Sequence, residues 1–542
     1  MKQYKKITKY ALMLASVATI SGCTKLNEDL NSTLTNGQVS SALGSSGTAL
    51  LLAAAYADLG GPLTNQDGVF SLQENSTDES LVPTRGGDWD DNGVWRVIHA
   101  HTWNADHGQI LNVFNDLNKI NFDATNVLGF NPTPAQGAEA KFIRALALYY
   151  LLDLYGQYPI RNPGDNLLLA PEVKSGAAGV DFIISELTAA LPNLPAGNGI
   201  DKANPDAARV LLMKCYLQKG AFANRGTPTF AAADLTQVLT LGNAIIANPK
   251  YSYSANFFDN FNPNNSSSKE AIFVYPNTAG VNANSSNIAC RWNMTLHYNS
   301  WTPNNPNAGW NGFSTISDFY NSFNTGTGTT AFGPTDTLLD PRIGGRVYRG
   351  VTNVSGMRPG LLVNQQFNEN GVAIKDRPGA PLAYTPAIAA NMIETGTNKE
   401  VTGIRVMKYP PDYTQYSNPS GNDLMIFRYS DVVLMVAEAR GRNGDMPGAL
   451  SMVNALRAAR GAPALTSMTL VNPANVGDPR TLLAERGREL YWESHRRTDL
   501  IRFGVFLKPW QYKTNFDAKN LTYPVPNQAL AANPNLKQNT GY

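Results

Sequence analysis

Residues 138–159 read AEAKFIRALALYYLLDLYGQYP, and this stretch decides the fold. Ala138, Phe142, Ala145, Tyr149, Leu152 and Tyr155 recur every three or four positions, the period of a helix that buries one face. Gly156 and Pro159 close it, since glycine accepts the left-handed turn after a helix and proline cannot continue one. Small alanines interleaved with aromatics let a second helix approach closely. The segment therefore reads as one member of a packed helix pair.

Working outward, GTALLLAAAYADLGG places Leu51, Leu52, Ala55, Tyr56 and Leu59 at helical spacing, and further helices are expected at about 178–191, 205–223 and 231–247. A second helical block covers 428–460 and continues through 479–508. Between the blocks Asn, Gly, Pro, Thr and aromatics dominate, and runs such as EAIFVY and TGIRVMKY read as strands at most. The expected fold class is mainly α, a tetratricopeptide-like helical-hairpin scaffold with a large irregular loop-rich insert. The strict 34-residue repeat signature is missing. Helical blocks 45–247 and 428–508 are expected to form one body, with the insert at 248–427 for ligand recognition and a C-terminal tail at 509–542.

The 542 residues could hold three or four domains at about 150 residues each. Hydrophobic residues make up 43% and charged ones only 16%, against roughly 25% charged in ordinary globular chains, so this is not an acidic disordered chain. Lys2, Lys5, Lys6 and Lys9 account for four of the 44 basic residues, and without residues 1–22 the balance is 40 basic to 42 acidic. No steering toward nucleic acid is implied.

Those lysines belong to a leader. MKQYKKITKY is followed by the ten apolar or small residues ALMLASVATI and then Ser21-Gly22-Cys23. A membrane-spanning helix needs about 20 apolar residues, so residues 1–22 read as a signal peptide rather than a span. Cys23 follows the small pair as in the bacterial lipobox, which this stretch resembles. The resemblance implies diacylglyceryl transfer to the thiol and a new N-terminus at residue 23. Residues 23–44, polar and without period, would be the tether. Cys215 sits at helical spacing among apolar residues and reads as a core thiol; a bridge to Cys290 stays open.

Four segments together resemble the SusD/RagB family of outer-membrane nutrient-binding lipoproteins. They are the Ser21-Gly22-Cys23 lipobox; the helix carrying Ala140, Arg144, Ala145, Tyr149, Leu154, Tyr155, Gly156 and Pro159; the run from Arg428-Tyr429-Ser430-Asp431 to Arg460-Gly461 with the following LLAERGRELYWESHRRTDLIRFG; and the tail YPVPNQALAANPNLKQNTGY. Arg497 departs from the pattern, standing where the family has an aromatic. The resemblance implies a lipid-anchored protein on the outer membrane, facing the cell surface. It further implies that an oligosaccharide or glycan is bound without catalysis and delivered to a SusC-like TonB-dependent transporter. The alternatives are a helical-repeat interaction scaffold and a peptide- or nutrient-binding lipoprotein with no sugar site.

The residues themselves support a binding role. No phosphate loop, nucleophile elbow or zincin helix occurs. His99, His101 and His107 cluster without a fourth ligand, so no metal site is expected. Asp88, Asp90, Asn92 and Gly93 match positions 1, 3, 5 and 6 of a calcium loop, but position 12 is His99, which leaves open only a weak structural calcium. Glycoside hydrolysis needs a pair of carboxylates, and the loop 74–91 offers Glu74, Asp78, Glu79, Asp88, Asp90 and Asp91, but acids in turns are common in any protein. Aromatics interleaved with amides and arginine stand out: Arg85, Trp89, Trp95 and Arg96; Arg291, Trp292, Asn293, Tyr298 and Trp301; Trp310, Asn311 and Phe313. A sugar's C–H face packs on a flat indole while its hydroxyls take amides, carboxylates and guanidinium groups. The expected ligand-binding residues are Trp89, Trp95, Arg96, Trp292, Asn293, Tyr298, Trp301 and Trp310, with Cys23 the lipidation site.

Overall fold

The deciding helix begins at Pro134. The Thr133 hydroxyl accepts from the Gln136 N–H while the Gln136 side chain accepts from the Thr133 N–H, a reciprocal cap. Gly156 ends it with φ 72°, the left-handed conformation its lack of a Cβ allows. The computed structural model describes residues 36–279, 287–300, 309–324, 340–347, 356–414 and 420–542; Cys23 and Trp301 lie outside them. The chain divides into Met1–Gly44 and a body, Ser45–Tyr542.

In chain order the main helices are α1 (Asn36–Ala57, interrupted at Gly44), α2 (Val69–Glu74), α3 (Val94–Ala100), α4 (Gly108–Gly129), α5 (Pro134–Tyr155), α6 (Gly176–Ala190), α7 (Pro205–Ala223), α8 (Ala232–Ile246), α9 (Cys290–Asn293), α10 (Tyr429–Arg442), α11 (Met446–Ala459), α12 (Leu482–Leu490), α13 (Arg496–Arg502) and α14 (Asn527–Ala532). From α4 to α8 each helix packs on the next, and the succession continues across the insert, α8 on α10 and α10 on α11. This is the repeat-like stacking of a solenoid. Gly242 permits the junction: a Cβ there would stand 2.3 Å from the Val436 side chain and 2.8 Å from Met213. Helix α4 was not among the expected ones. Its buried Ile110, Val113, Phe114, Leu117, Ile120 and Ala124 carry the helical period, but five asparagines of low helix propensity interrupt it.

The insert leaves and re-enters the helical body as a ribbon. Ala271–Tyr275 pairs antiparallel with Leu424–Arg428, Tyr275 opposite Leu424, and both strands are wholly buried. Its other strands are two or three residues long, such as Gly360–Leu362 against Arg405–Met407. The C-terminal tail is tied back to α5: the Asn539 amide donates to the carbonyls of Tyr155 and Tyr523, and the Tyr523 N–H donates to Leu154.

Acidic and basic residues of α12 and its surroundings fasten insert and scaffold together from inside. Glu485 pairs with Arg342 (2.6 Å), Arg457 (2.8 Å) and Arg488 (2.7 Å), and Glu489 with Arg342 (2.9 Å), Arg428 (2.6 Å) and Arg460 (2.7 Å). Burial alone would favour neutral acids, but the clustered guanidinium groups outweigh it and hold both carboxyls well below the usual range. Arg342 belongs to the insert, so both carboxylates clamp it onto α12, and Glu485 at the same time holds Arg457 of α11. Arg497, the departure from the family pattern, lies buried between Phe506 and Tyr523, 4.9 and 4.7 Å from their ring centroids. Its planar cation thus fills an aromatic's place.

Cys215 and Cys290 are separate buried thiols, with no bridge between them. Among the described residues no helix is long and apolar enough to cross a membrane.

Candidate functional site

The short loop before α3 turns on left-handed residues. Trp89, Asp91 and Asn92 have φ of 60°, 38° and 56°. Such conformations cost non-glycine residues about 1–3 kcal/mol each and persist where surroundings enforce them. Here Arg85 N–H donates to the Asp88 carbonyl at 2.9 Å, and Arg96 reaches back to Thr84 Oγ1 at 2.5 Å and Asp90 at 3.3 Å. The effect is to present Trp89 sideways onto a second segment, 309–313.

That segment is laid against α9 and the chain after it. Trp310 N–H donates to Asn293, Asn311 N–H to Leu296, and both Gly312 and Phe313 to Met294. Trp89 Nε1–H donates to the Trp310 carbonyl at 2.7 Å, and its ring centroid lies 6.4 Å from Trp310, 5.3 Å from Phe313 and 5.3 Å from Trp95. Gly312 makes room: a Cβ there would stand 2.3 Å from Trp89 Cε2. Trp89 and Trp310 both keep part of their surface open.

Tyr298 joins them at the rim. Its hydroxyl donates to Asp88, and the guanidinium of Arg377 sits 4.1 Å from its ring centroid. Burial and the neighbouring Asp88 push the phenol up to about 12, so it stays a donor at neutral pH. Arg377 is held by Glu400 at 2.6 Å, and Glu400 also accepts from His297 at 2.9 Å. His297 Nδ1 accepts the Asn299 N–H, which leaves Nε2 carrying the proton toward Glu400. Sequence reading missed Arg377, which lies in the polar turn KDRPGAP with no aromatic beside it.

The expected residues therefore separate. Trp89, Trp310, Tyr298 and Arg96 are partly open; Trp89 lies against Trp310, and Tyr298 bonds Asp88, the residue before Trp89, while Arg96 is turned to Thr84 and Asp90. Trp292 is fully enclosed, so it has no face to offer a ligand; Trp95 is only 5% exposed, with its Nε1–H donated to Asp91, and Asn293 is buried beneath the 309–313 segment. For these three the structure replaces direct contact with a supporting place in the core. Aromatic content alone could not separate platform from foundation. Trp301 lies outside the described residues.

The carboxylates and histidines named in the sequence have partners of their own. Asp88 accepts from Tyr298, Asp90 pairs with Arg96 and Asp91 accepts from Trp95. Among the described residues no three His, Cys, Asp or Glu side chains gather to hold a metal ion. His99, His101 and His107 point their ring nitrogens at backbone carbonyls of Ser80, Ser76 and Val94, and burial lowers the pKa of all three. Asp78 is locked to Arg496 by two contacts of 2.7 Å at the wall of a cavity, and Glu74, fully buried, accepts from the Ser494 N–H at 2.6 Å.

The sequence of residues 269–542 matches the SusD family model. The chain belongs to the SusD family. It is 24% identical to the starch-binding protein SusD of Bacteroides thetaiotaomicron over 99% of this chain and all of that one. Its fold is shared with a SusD-like protein from Bacteroides fragilis at 20% identity, with a TM-score of 0.67 over 91% of this chain and 96% of that one. Surface glycan-binding protein A from Bacteroides thetaiotaomicron, in complex with laminarihexaose, gives a TM-score of 0.62 at 15% identity, covering 91% of this chain and 99% of that one. The helical scaffold of this SusD-family chain is thus the family's, and the loops carrying Trp89, Tyr298, Trp310 and Arg377 are built onto it.

Proposed function

We propose that the chain binds an oligosaccharide without catalysis and hands it to a SusC-like TonB-dependent transporter, held at the outer membrane, facing outward, by a lipid on Cys23. The observation that carries the binding reading is the contact of two partly open indoles, Trp89 and Trp310, next to the half-buried Tyr298, which bonds Asp88 and stacks under Arg377. The aromatic faces suit the C–H face of a hexose, and the carboxylate and guanidinium suit its hydroxyls. Two relatives of the chain are a starch-binding protein and a surface glycan-binding protein in complex with laminarihexaose, which supports a glycan as the ligand class. Anchoring and transfer to a transporter rest on family membership and on the lipobox sequence.

A glycan array probed with the chain lacking residues 1–23 tests the reading, followed by titration calorimetry with the glycan it selects. Binding that drops on replacing Trp89 supports it. A blank array, or a selected glycan bound equally well by Trp89→Ala, overturns it.

A further inference from the structure

The hairpin that follows α5 exposes three consecutive leucines. Gln157–Ile160 pairs antiparallel with Glu172–Ser175, and the loop between them leaves Leu167, Leu168 and Leu169 exposed by 63%, 94% and 65%. Three adjacent aliphatic side chains at a loop tip are costly in water unless something covers them.

Much of the loop's polar backbone is paired within the loop itself. One guanidinium, Arg161, donates to the carbonyls of Asn166 at 3.1 Å, Leu167 at 3.4 Å and Leu169 at 2.6 Å. The Leu168 N–H donates to the Asn166 side chain and the Leu169 N–H to the Asn166 carbonyl. Asp165 turns its carboxylate back onto the Asn162 N–H at 2.7 Å. A protein partner could satisfy an open backbone, whereas hydrocarbon cannot, so closure of these groups within the loop is what entry into lipid demands.

Two neighbours extend the surface. Phe122 on α4 is 42% exposed and lines, with Arg161 and Pro171, a shallow cavity of about 330 Å³. Seven residues along the same face of α4, Gly129 faces Pro163 of the loop. The next residue, Phe130, accepts the Thr48 hydroxyl at 2.7 Å, where the chain enters the body. Cys23 lies 25 residues upstream of Thr48 in the sequence. The leucines and the point of entry of the chain are therefore on one side of the body.

We infer that Leu167–Leu169, with Phe122 beside them, form a second membrane contact that rests in the lipid surface. The contact would fix the body's orientation on the membrane, which a flexible tether from one point cannot do. It extends the anchored reading above, and its test is arranged not to depend on the lipid at Cys23.

The chain from residue 24, carrying hexahistidine in place of Cys23, is tethered to vesicles of phosphatidylethanolamine, phosphatidylglycerol and a nickel-chelating lipid. Leu168→Cys is labelled with an environment-sensitive dye; Cys215 and Cys290, both buried, do not compete. Thr236→Cys, on an exposed face of α8, is the control. The expected result is a blue shift at position 168 and about threefold stronger quenching there than at position 236 by nitroxide-bearing lipid. Equal behaviour at the two positions overturns the inference. A blue shift without nitroxide quenching also overturns it, assigning the loop to a protein surface. In the untethered chain, Leu167→Ser, Leu168→Ser and Leu169→Ser together should lower vesicle partitioning about tenfold with an unchanged melting temperature; unchanged partitioning would overturn it as well.

Discussion

Trp89 donates its indole N–H to the main-chain carbonyl of Trp310 over 2.7 Å, linking loops 221 residues apart in sequence. Because the acceptor is backbone, the Trp89 ring does not depend on the Trp310 side chain for its hydrogen bond. Its edges meet Trp95 and Phe313 at 72° and 84°, so core rings brace it from within.

Trp310→Ala should accordingly remove one platform and leave the other in place. Loss of an aromatic platform costs about 1–3 kcal/mol by analogy with bases stacked on aromatic side chains, or roughly tenfold to a hundredfold in Kd. Trp89→Ala should cost at least as much. Calorimetric titration with the array-selected glycan measures both, and equal affinity for both variants and the parent would locate the ligand elsewhere.

Trp292→Ala should behave differently, because the ring is enclosed by the core. Deleting a buried indole costs about 3–5 kcal/mol of stability. The melting temperature should fall, and glycan affinity of the folded fraction should change little. A variant that melts like the parent but loses the glycan would reverse the assignment of Trp292 as foundation.

Glu489→Gln probes the clamp between insert and scaffold. Its carboxylate faces Arg342, Arg428 and Arg460, all buried. Removing one partner from a buried ion-pair network leaves uncompensated charge and costs about 3–5 kcal/mol. Chemical denaturation should show that loss, together with earlier proteolysis within 248–427. An unchanged midpoint would mean that the arginines are satisfied without Glu489.

How much of this was legible in the sequence follows from which contacts are local. The helices around Phe142, Leu212 and Leu434 announce themselves by spacing within one segment, and so does the close of α5 at Gly156. Helix α4 carried the same spacing, but its asparagines obscured it. The site is less legible, for a physical reason. Trp292 and Trp310 have similar Asn-rich neighbours in sequence, and what encloses one and leaves the other partly open is the packing of residues far away in the chain, such as Trp89 against Trp310. Arg377 reaches the site only because Glu400 and Tyr298 hold it there.

Four of the five histidines are buried and His495 is half-buried, and desolvation lowers each one's pKa below its usual value. An unfolded chain takes up protons near pH 6.5 that the folded chain refuses, so this contribution to stability is full above about 6.5 and is lost as pH falls. Glu74 acts in the opposite sense: its carboxyl is pushed up to about 8 by burial, and its contribution is lost as pH rises. A difference between variants isolates one group. His101→Asn should lower the dependence of stability on pH between 6.5 and 5 by about one proton, or 1.4 kcal/mol per pH unit. Identical slopes in parent and variant would show that His101 titrates normally in the fold.

Cys23→Ala should move the protein from the membrane fraction to the soluble one. Radioactive fatty acid should label the parent and not the variant. A parent without label would end the anchoring proposal while leaving the glycan site untouched.

Gly312→Ala offers the sharpest test of how the platform is built. The Gly312 backbone does not need a positive φ, so alanine brings no backbone strain, and any effect comes from the added methyl group. That methyl would stand 2.3 Å from Cε2 and 2.6 Å from Nε1 of Trp89, well inside van der Waals contact. The indole cannot slide freely, because its N–H is bound to Trp310 O and its edges meet Trp95 and Phe313. Either the ring tilts out and breaks its hydrogen bond, or the 309–313 segment lifts off Met294. Overpacking of this kind costs about 1–3 kcal/mol, so the melting temperature should fall modestly. Glycan affinity should fall as in Trp89→Ala, although no aromatic ring has been removed, and the near-ultraviolet dichroism of the tryptophans should change with it. If the variant binds glycan normally while that dichroism changes, the ligand does not use the Trp89 face. If neither changes, the indole has room that the present packing does not give it.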